Sequence, residues 1–309
     1  MRTTGGWQAT VAPLITLSAA IGLCALVVLV APGLADLVRG LIGEAGRSHY
    51  PAIETVGTLV LFGSLLLCAL AGAAVSKVNP LELGRNFVRI GWIGAIAGLG
   101  GLSAAAAYAW LGGALEPGTG PPVGAGLLIW GTLLILFATT AEEIYFRGWV
   151  QPVLARSFGA AAGVLLSALA FAALHLIGGA RSPVSLANLF LGGLLFGLLA
   201  ARGGGIAGAA AAHFSWNWGE RILLGVDPNP GVGSFGAIFD YDLVGPALWG
   251  GSDEGLNASV TMTMALAALV LPLLILLRFE RSGPGDGLIR DRGSQPQSST
   301  EPGRARASR

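Results

Sequence analysis

Charge is scarce in this chain of 309 residues. Asp, Glu, Lys and Arg together make up 11% of it, whereas a soluble globular protein carries about 25%. Hydrophobic residues make up 53% and the mean hydropathy is +0.70. This composition excludes a soluble globular domain and predicts an integral membrane protein. The formal net charge of +1 says nothing about partners. From the apolar composition we expect the lipid bilayer as the surrounding, and no nucleic-acid partner.

Cysteine is also rare, with two residues in the whole chain. Cys24 and Cys68 lie in separate apolar runs, which is not the spacing of a metal or redox motif. We interpret both as small core hydrophobes.

Several protease motifs are missing as well. The chain has no HExxH, which a site-2-type zinc protease needs, and no GxSG, which a rhomboid-type serine protease needs. Tyr241-Asp242 and the Gly-x-Gly-Asp of 283–286 resemble aspartyl-protease motifs, but they lie in a polar connector and in the polar tail. The sequence therefore argues against an intramembrane aspartyl protease.

What the chain does have is long apolar runs. A membrane helix needs about 20 such residues, and the runs predict an all-α bundle of about eight transmembrane helices. The predicted spans are about Val11–Val30, Val56–Val75, Val88–Leu111, Leu127–Val150, Ala160–Ile177, Leu186–Ala201, Ile206–Leu224 and Ala258–Leu277. Two pairs of glycines four residues apart, Gly94 with Gly98 and Gly193 with Gly197, predict close helix packing.

The chain divides into three predicted regions. Residues 1–123 hold the first three helices, 124–278 form a catalytic core, and 279–309 form a disordered basic tail. Connectors that carry Lys and Arg alternate with less basic ones. The positive-inside rule then places both termini in the cytoplasm of a multi-pass plasma-membrane protein. The role of connector 225–255 is left open.

Three charges interrupt the fourth span: Glu142, Glu143 and Arg147. A charge near mid-bilayer costs about 2.5–3.5 kcal/mol on insertion scales, so each needs a partner, water or a function. Residues four apart share a helix face, so Glu143 can pair with Arg147. Glu142 is rotated by about 100° from its neighbour. Either the three form a structural ion pair with a stray acid, or Glu143 and Arg147 are a structural support and Glu142 is free for chemistry.

His175 lies in the fifth span, four residues after Phe171. A lone histidine there could simply hydrogen-bond between helices. However, the turn near Phe158–Gly159 is equidistant in sequence from Glu142 and His175, with about 25 Å of helix on each side. Antiparallel helices joined in this way should bring the carboxylate and the imidazole to the same depth.

His213 and Asn217 lie four apart in the seventh span and share one face. An isolated Asn in a span usually holds helices together, but beside a histidine it offers two donors for a developing oxyanion. Glu220 and Arg221 are interpreted as the interfacial end of this helix. With Glu142 as general base, these groups are the minimum set for water-mediated amide hydrolysis.

These residues fall into three motifs: Glu142-Glu143-x-x-x-Arg147, Phe171-x-x-x-His175 and His213-x-x-x-Asn217. In this order they resemble the CAAX-protease and bacteriocin-processing family (CPBP, or Abi) of intramembrane endopeptidases. The resemblance covers roughly Leu127–Leu224.

The resemblance implies a helical membrane core whose site is reached from the cytoplasm. It assigns water activation to Glu142 and His175, and oxyanion stabilisation to His213 and Asn217. The family is commonly labelled metalloprotease, and a metal such as zinc, if present, would be held by Glu142, His175 and His213. We favour a metal-free glutamic mechanism.

The expected substrate is a membrane-associated peptide or protein, which the sequence does not identify further. Two other functions remain open. One is a catalytically silent scaffold or immunity protein of the same fold. The other is a transporter, because intramembrane charges also mark transport pathways.

Overall fold

The computed structural model describes residues 50–120, 123–177, 180–228 and 235–281, and scattered positions between 15 and 40 that are all helical. The first predicted span, with Cys24, falls mostly outside the described residues, and so does the predicted tail 279–309. By its contacts the chain divides into two compact units, Met1–Leu271 and Pro272–Arg309. The site described below lies within the first. The predicted boundary near residue 123 stays a prediction.

The described residues form an all-α bundle, as the apolar runs predict. The helices are α1 Tyr50–Ser76, α2 Phe87–Leu111, α3 Ala125–Glu143, α4 Gln151–Phe158, α5 Ala160–Ile177, α6 Pro183–Gly203, α7 Ala207–Trp218 and α8 Val260–Arg281. Two π-helical segments continue α3 and α7 without a break. These are π1, Ile144–Val150, and π2, Gly219–Leu224.

Each predicted span from the second to the eighth corresponds to a described helix or to a helix with its π-helical continuation. The number that could cross a membrane is smaller than predicted. Among the described residues, four helices are long and apolar enough: Pro51–Ser76, Phe87–Leu111, Ala125–Phe158 and Pro183–Gly203. Ala160–Leu176 and Val260–Leu276 are apolar but shorter. α7 has 12 residues before π2 begins, and the first predicted span lies mostly outside the described residues.

A small sheet joins the connectors at one end of the bundle. Its strands are β1 Leu115–Pro117, β2 Val226–Asp227 and β3 Tyr241–Leu243, with β3 in the middle. β1 pairs with β3 antiparallel and β2 pairs with β3 parallel. Within connector 225–255, the described residues 225–228 and 235–255 are therefore folded, which the sequence does not reveal.

The glycine pairs pack closely, as predicted. A Cβ on Gly94 or Gly98 of α2 would overlap the carbonyl oxygen of Gly208 or Ala212 on α7. A Cβ on Gly193 of α6 would lie 3.0 Å from the backbone of α5. α7, which carries His213, is thus held directly against α2.

Candidate active site

The two glutamates lie at the point where the long helix changes its hydrogen-bonding pattern. α3 ends at Glu143 and π1 begins at Ile144, and all seven residues of π1 are buried. Such segments are rare and frequently mark functional sites. The Ser167 hydroxyl of α5 donates to the Phe146 carbonyl at 3.2 Å, so a neighbouring helix supports the irregular backbone.

The helix beyond the glutamates is fixed to α6 by two side chains. Arg147 Nη2 donates to the Gly193 carbonyl at 2.9 Å, and Gln151 Nε2 donates to the Gly197 carbonyl at 3.0 Å. Donor and acceptor pairs are both four residues apart, so the two elements lie side by side over one turn. The lack of side chains at the two glycines leaves these carbonyls within reach.

Glu143 and Arg147 pair, as the spacing predicts. Arg147 Nη1 donates to Glu143 Oε1 at 2.9 Å, and neither side chain is exposed. Aromatic rings surround the guanidinium, with its carbon 4.9 Å from the centroid of Phe171 and 5.4 Å from that of Phe196. A buried arginine in this setting depends on its carboxylate partner.

Glu143 also binds His213, which the sequence does not predict. The same Oε1 lies 2.8 Å from His213 Nδ1. His213 is 5% exposed, and its ring stacks on Phe196 at 4.6 Å. Glu143, at the end of α3, is therefore bonded both to Arg147 of π1 and to His213 of α7.

Glu142 faces the other nitrogen of the same ring. Its Oε2 lies 3.6 Å from His213 Nε2, and the residue is 8% exposed. Within the described residues, the histidine at ion-pair distance from Glu142 is His213, and not His175 as the hairpin argument suggests. The reason is the additional contact through Glu143, which turns His213 towards the carboxylate pair.

His175 packs against Phe171. The centroid of Phe171 is 4.7 Å from that of His175 and 5.9 Å from that of His213. His175 Nδ1 lies 2.8 Å from the carbonyl oxygen of Phe171. Both histidine rings thus pack against the same buried ring.

The hydrogen-bond partners indicate which ring nitrogen of each imidazole carries a hydrogen. A carbonyl only accepts, so Nδ1 of His175 carries a hydrogen and Nε2 of the neutral ring is an acceptor. The carboxylate of Glu143 likewise calls for a hydrogen on Nδ1 of His213. Nε2 of His213, facing Glu142, is then the position that gains or loses a proton.

Charges alternate along the four buried groups Arg147, Glu143, His213 and Glu142. Burial disfavours a net charge, and the group is neutral when Glu142 and His213 hold one proton between them. That proton can be on Oε2 or on Nε2, 3.6 Å apart.

Asn217 completes the third motif. It is half-buried on α7, one turn after His213. The helix is joined to α3 nearby, where Trp218 Nε1 donates to Thr132 Oγ1 at 3.0 Å. The His213–Asn217 face is therefore fixed relative to the helix that carries Glu142.

The metal-binding alternative does not fit this arrangement. Across the described ranges, no group of three His, Cys, Asp or Glu side chains is placed to hold a metal ion. Glu142 and His213 approach each other, while His175 is directed to its own helix backbone. The label metalloprotease is not supported, and no step below passes through a metal.

The end of the seventh span is buried within the protein. Glu220 is 5% exposed, and Arg221 lines a small cleft of about 40 Å³. Arg221 follows His213 and Asn217 at intervals of four residues. We call this space the Glu54–Arg221 cleft, and its walls include Glu54, Phe62, Leu134, Ala138 and Arg221.

A comparison with known protein families finds a match within the predicted core. Residues 124–219 match the family described as Type II CAAX prenyl endopeptidase Rce1-like. The match covers less than half of the chain and supports a CAAX protease family for this part of it. The match includes all three motifs and begins where the predicted catalytic core begins. A comparison with curated proteins finds no significant match. The family supports a CAAX-type intramembrane protease in general, as the motif resemblance predicts.

Proposed function

We propose that this protein is an intramembrane endopeptidase that hydrolyses a peptide bond of a membrane-associated peptide or protein. The observation that carries the proposal is the buried series Arg147–Glu143–His213–Glu142, with contacts of 2.9, 2.8 and 3.6 Å. A purely structural ion pair would need Glu143 and Arg147 alone. The second carboxylate, held against an oriented imidazole, is what hydrolysis requires.

Glu142 acts as general base in this mechanism. With the shared proton on His213, the carboxylate of Glu142 takes a proton from water while the water oxygen attacks the scissile carbonyl carbon. His175, through the acceptor Nε2, helps to orient the water. The carbonyl π electrons move to its oxygen and form a tetrahedral oxyanion.

His213 and Asn217 stabilise that oxyanion. Protonated His213 donates from Nε2, with Glu143 and Arg147 holding the ring in place, and Asn217 donates from its amide. Glu142 then passes its proton to the amide nitrogen as the C–N bond breaks. The products are a carboxylic acid and an amine, and the proton count balances.

We further propose that the chain lies in the plasma membrane with both termini in the cytoplasm. The basis is the distribution of Lys and Arg among the connectors. The four described helices that are long enough to cross a bilayer are consistent with this placement.

The test compares Glu142→Gln with wild type in vesicles, using quenched fluorescent peptides as substrates. We expect the rate to fall by about 10²–10⁴, while the melting temperature stays close to that of wild type. Asp253→Asn, which changes an exposed acid in connector 225–255, is the matched control. Cleavage by Glu142→Gln at the wild-type rate would overturn the mechanism. A silent scaffold would instead keep its cellular role in this variant.

A further inference from the structure

Phe196 of α6 contacts the candidate active site, although it belongs to none of the three motifs. Its ring lies almost parallel to that of His213, with 17° between the planes and 4.6 Å between the centroids. Both residues are 5% exposed. The phenyl ring therefore covers one face of the imidazole in a buried part of the bundle.

The stacked ring opposes a motion that the hydrogen bond to Glu143 leaves possible. Oε1 of Glu143 lies 2.8 Å from Nδ1 of His213, and this contact holds one atom of the imidazole. A hydrogen bond is best at angles above about 150° and weakens steeply only below about 120°, so the ring plane could still rock about that atom. Rocking would displace Nε2 from its position 3.6 Å from Oε2 of Glu142.

Phe196 is itself held by the hydrogen bonds that fix α6. The carbonyl of Gly197, the next residue, accepts from Gln151, and the carbonyl of Gly193, three residues earlier, accepts from Arg147. The guanidinium carbon of Arg147 also lies 5.4 Å from the centroid of Phe196. The stacked ring is thus fixed relative to the helix that carries the two glutamates.

We propose that Phe196 is a positioning residue, which holds the plane of the His213 ring so that Nε2 stays directed at Glu142 and at the oxyanion. This inference rests on the proposed peptidase function. A displacement of about 1 Å from the productive geometry can cost about 10² in rate. Phe196 touches neither the attacking water nor the substrate in this mechanism, so its loss should lower kcat and leave KM nearly unchanged.

The experiment measures kcat and KM for a quenched fluorescent peptide in vesicles, well below the melting temperature of every variant. Phe196→Leu and Phe196→Met remove the flat ring and keep an apolar side chain. Each should lower kcat about 10–100-fold. Phe196→Tyr, which keeps the ring, should recover most of the wild-type kcat. If Phe196→Tyr does not fold, the comparison with the control below decides alone.

Phe235→Leu is the matched control. Phe235 is also 5% exposed, but it packs in a separate apolar cluster with Leu134, Ile135 and Ile222. Its substitution should lower the melting temperature and leave kcat unchanged. Wild-type kcat in Phe196→Leu or Phe196→Met, or an equal loss of kcat in Phe235→Leu, would overturn the inference. Failure of both Phe196→Leu and Phe196→Met to fold would assign the residue to the core alone and overturn it as well.

Carbon-13 relaxation of labelled histidine rings tests the positioning without cleavage. The order parameter of the Cε1–H bond of His213 should fall in Phe196→Leu and stay unchanged in Phe235→Leu, and His213→Gln identifies the signal. A looser ring in Phe196→Leu, with no cleavage by wild type, supports the positioning and overturns the peptidase. Cleavage by wild type, with the same ring order in Phe196→Leu, overturns the positioning and leaves the peptidase. Unchanged ring order together with no cleavage overturns both.

Discussion

Nδ1 of His213 lies 2.8 Å from Oε1 of Glu143, while Nε2 of the same ring faces Glu142 at 3.6 Å. Two carboxylates adjacent in sequence thus contact opposite sides of one imidazole. Glu143 holds the ring and Glu142 shares its reactive nitrogen. The two glutamates should therefore respond differently to the same substitution.

Glu143→Gln should lower both stability and activity. It leaves Arg147 buried without its counter-charge, which costs about 3–5 kcal/mol, and it removes the acceptor that orients His213. Thermal unfolding in detergent and a peptide-cleavage assay would measure both effects. The double variant Glu143→Gln/Arg147→Met should regain stability but not activity. A melting temperature equal to that of wild type in Glu143→Gln would contradict the supporting role.

His175 should carry a hydrogen on Nδ1. The Phe171 carbonyl at 2.8 Å can only accept a hydrogen bond. Nitrogen NMR of protein labelled at histidine would show the tautomer, and His175→Ala would identify the signal among the three histidines of the chain. A hydrogen on Nε2 would remove the acceptor that our mechanism assigns to water orientation.

Gly98→Ala and Gly100→Ala form a matched pair on α2. The added methyl at Gly98 would overlap the carbonyl of Ala212, next to His213, whereas nothing lies within 4 Å of the Cβ position at Gly100. Overpacking of this kind costs about 1–3 kcal/mol, so the Gly98 variant should melt earlier and lose activity. Gly100→Ala should match wild type or gain up to about 1 kcal/mol. Equal melting temperatures of the two variants would show that α2 and α7 can move apart without a loss of stability.

Glu254 should make stability depend on acid pH. Burial alone would raise the pKa of this carboxyl, but hydrogen bonds from Ser182, Ser185 and Arg181 outweigh it and lower the pKa below the usual 4.5. A carboxyl whose pKa is lowered by folding stabilises the fold at pH values above its pKa in the unfolded chain. This stabilisation is lost as the pH falls through the pKa of the carboxyl in the folded protein. Melting temperatures of wild type and Glu254→Gln, measured from pH 7 to pH 3, should converge at the acid end. A constant difference over that range would contradict the assignment.

Much of the fold follows from local sequence patterns. The apolar runs end at Gly, Pro and Asn, so the positions of all the helices from α1 to α8 except α4 could be predicted to within several residues. The Glu143–Arg147 pair depends on spacing within one helix, and the spacing of Gly94 and Gly98 predicts close packing, although it does not identify α7 as the partner. Such features are visible in a single sequence.

The remaining features depend on contacts between distant segments. Glu143 and His213 are 70 residues apart, and no spacing rule connects them. The sequence also does not predict π1, because the residue types in a π-helical turn do not differ from those in an α-helical turn. Arg221 lines a cleft together with Glu54 of α1, and no local pattern in the sequence connects these two residues.

The short separation between Nε2 of His213 and Oε2 of Glu142 has an electrical consequence. Moving one elementary charge across the whole membrane changes its energy by about 2.3 kcal/mol per 100 mV. A proton that moves 3.6 Å crosses at most about an eighth of the roughly 30 Å hydrocarbon core. The voltage then contributes no more than about 0.3 kcal/mol per 100 mV. Proton exchange within this pair is therefore nearly independent of whether the membrane is energised.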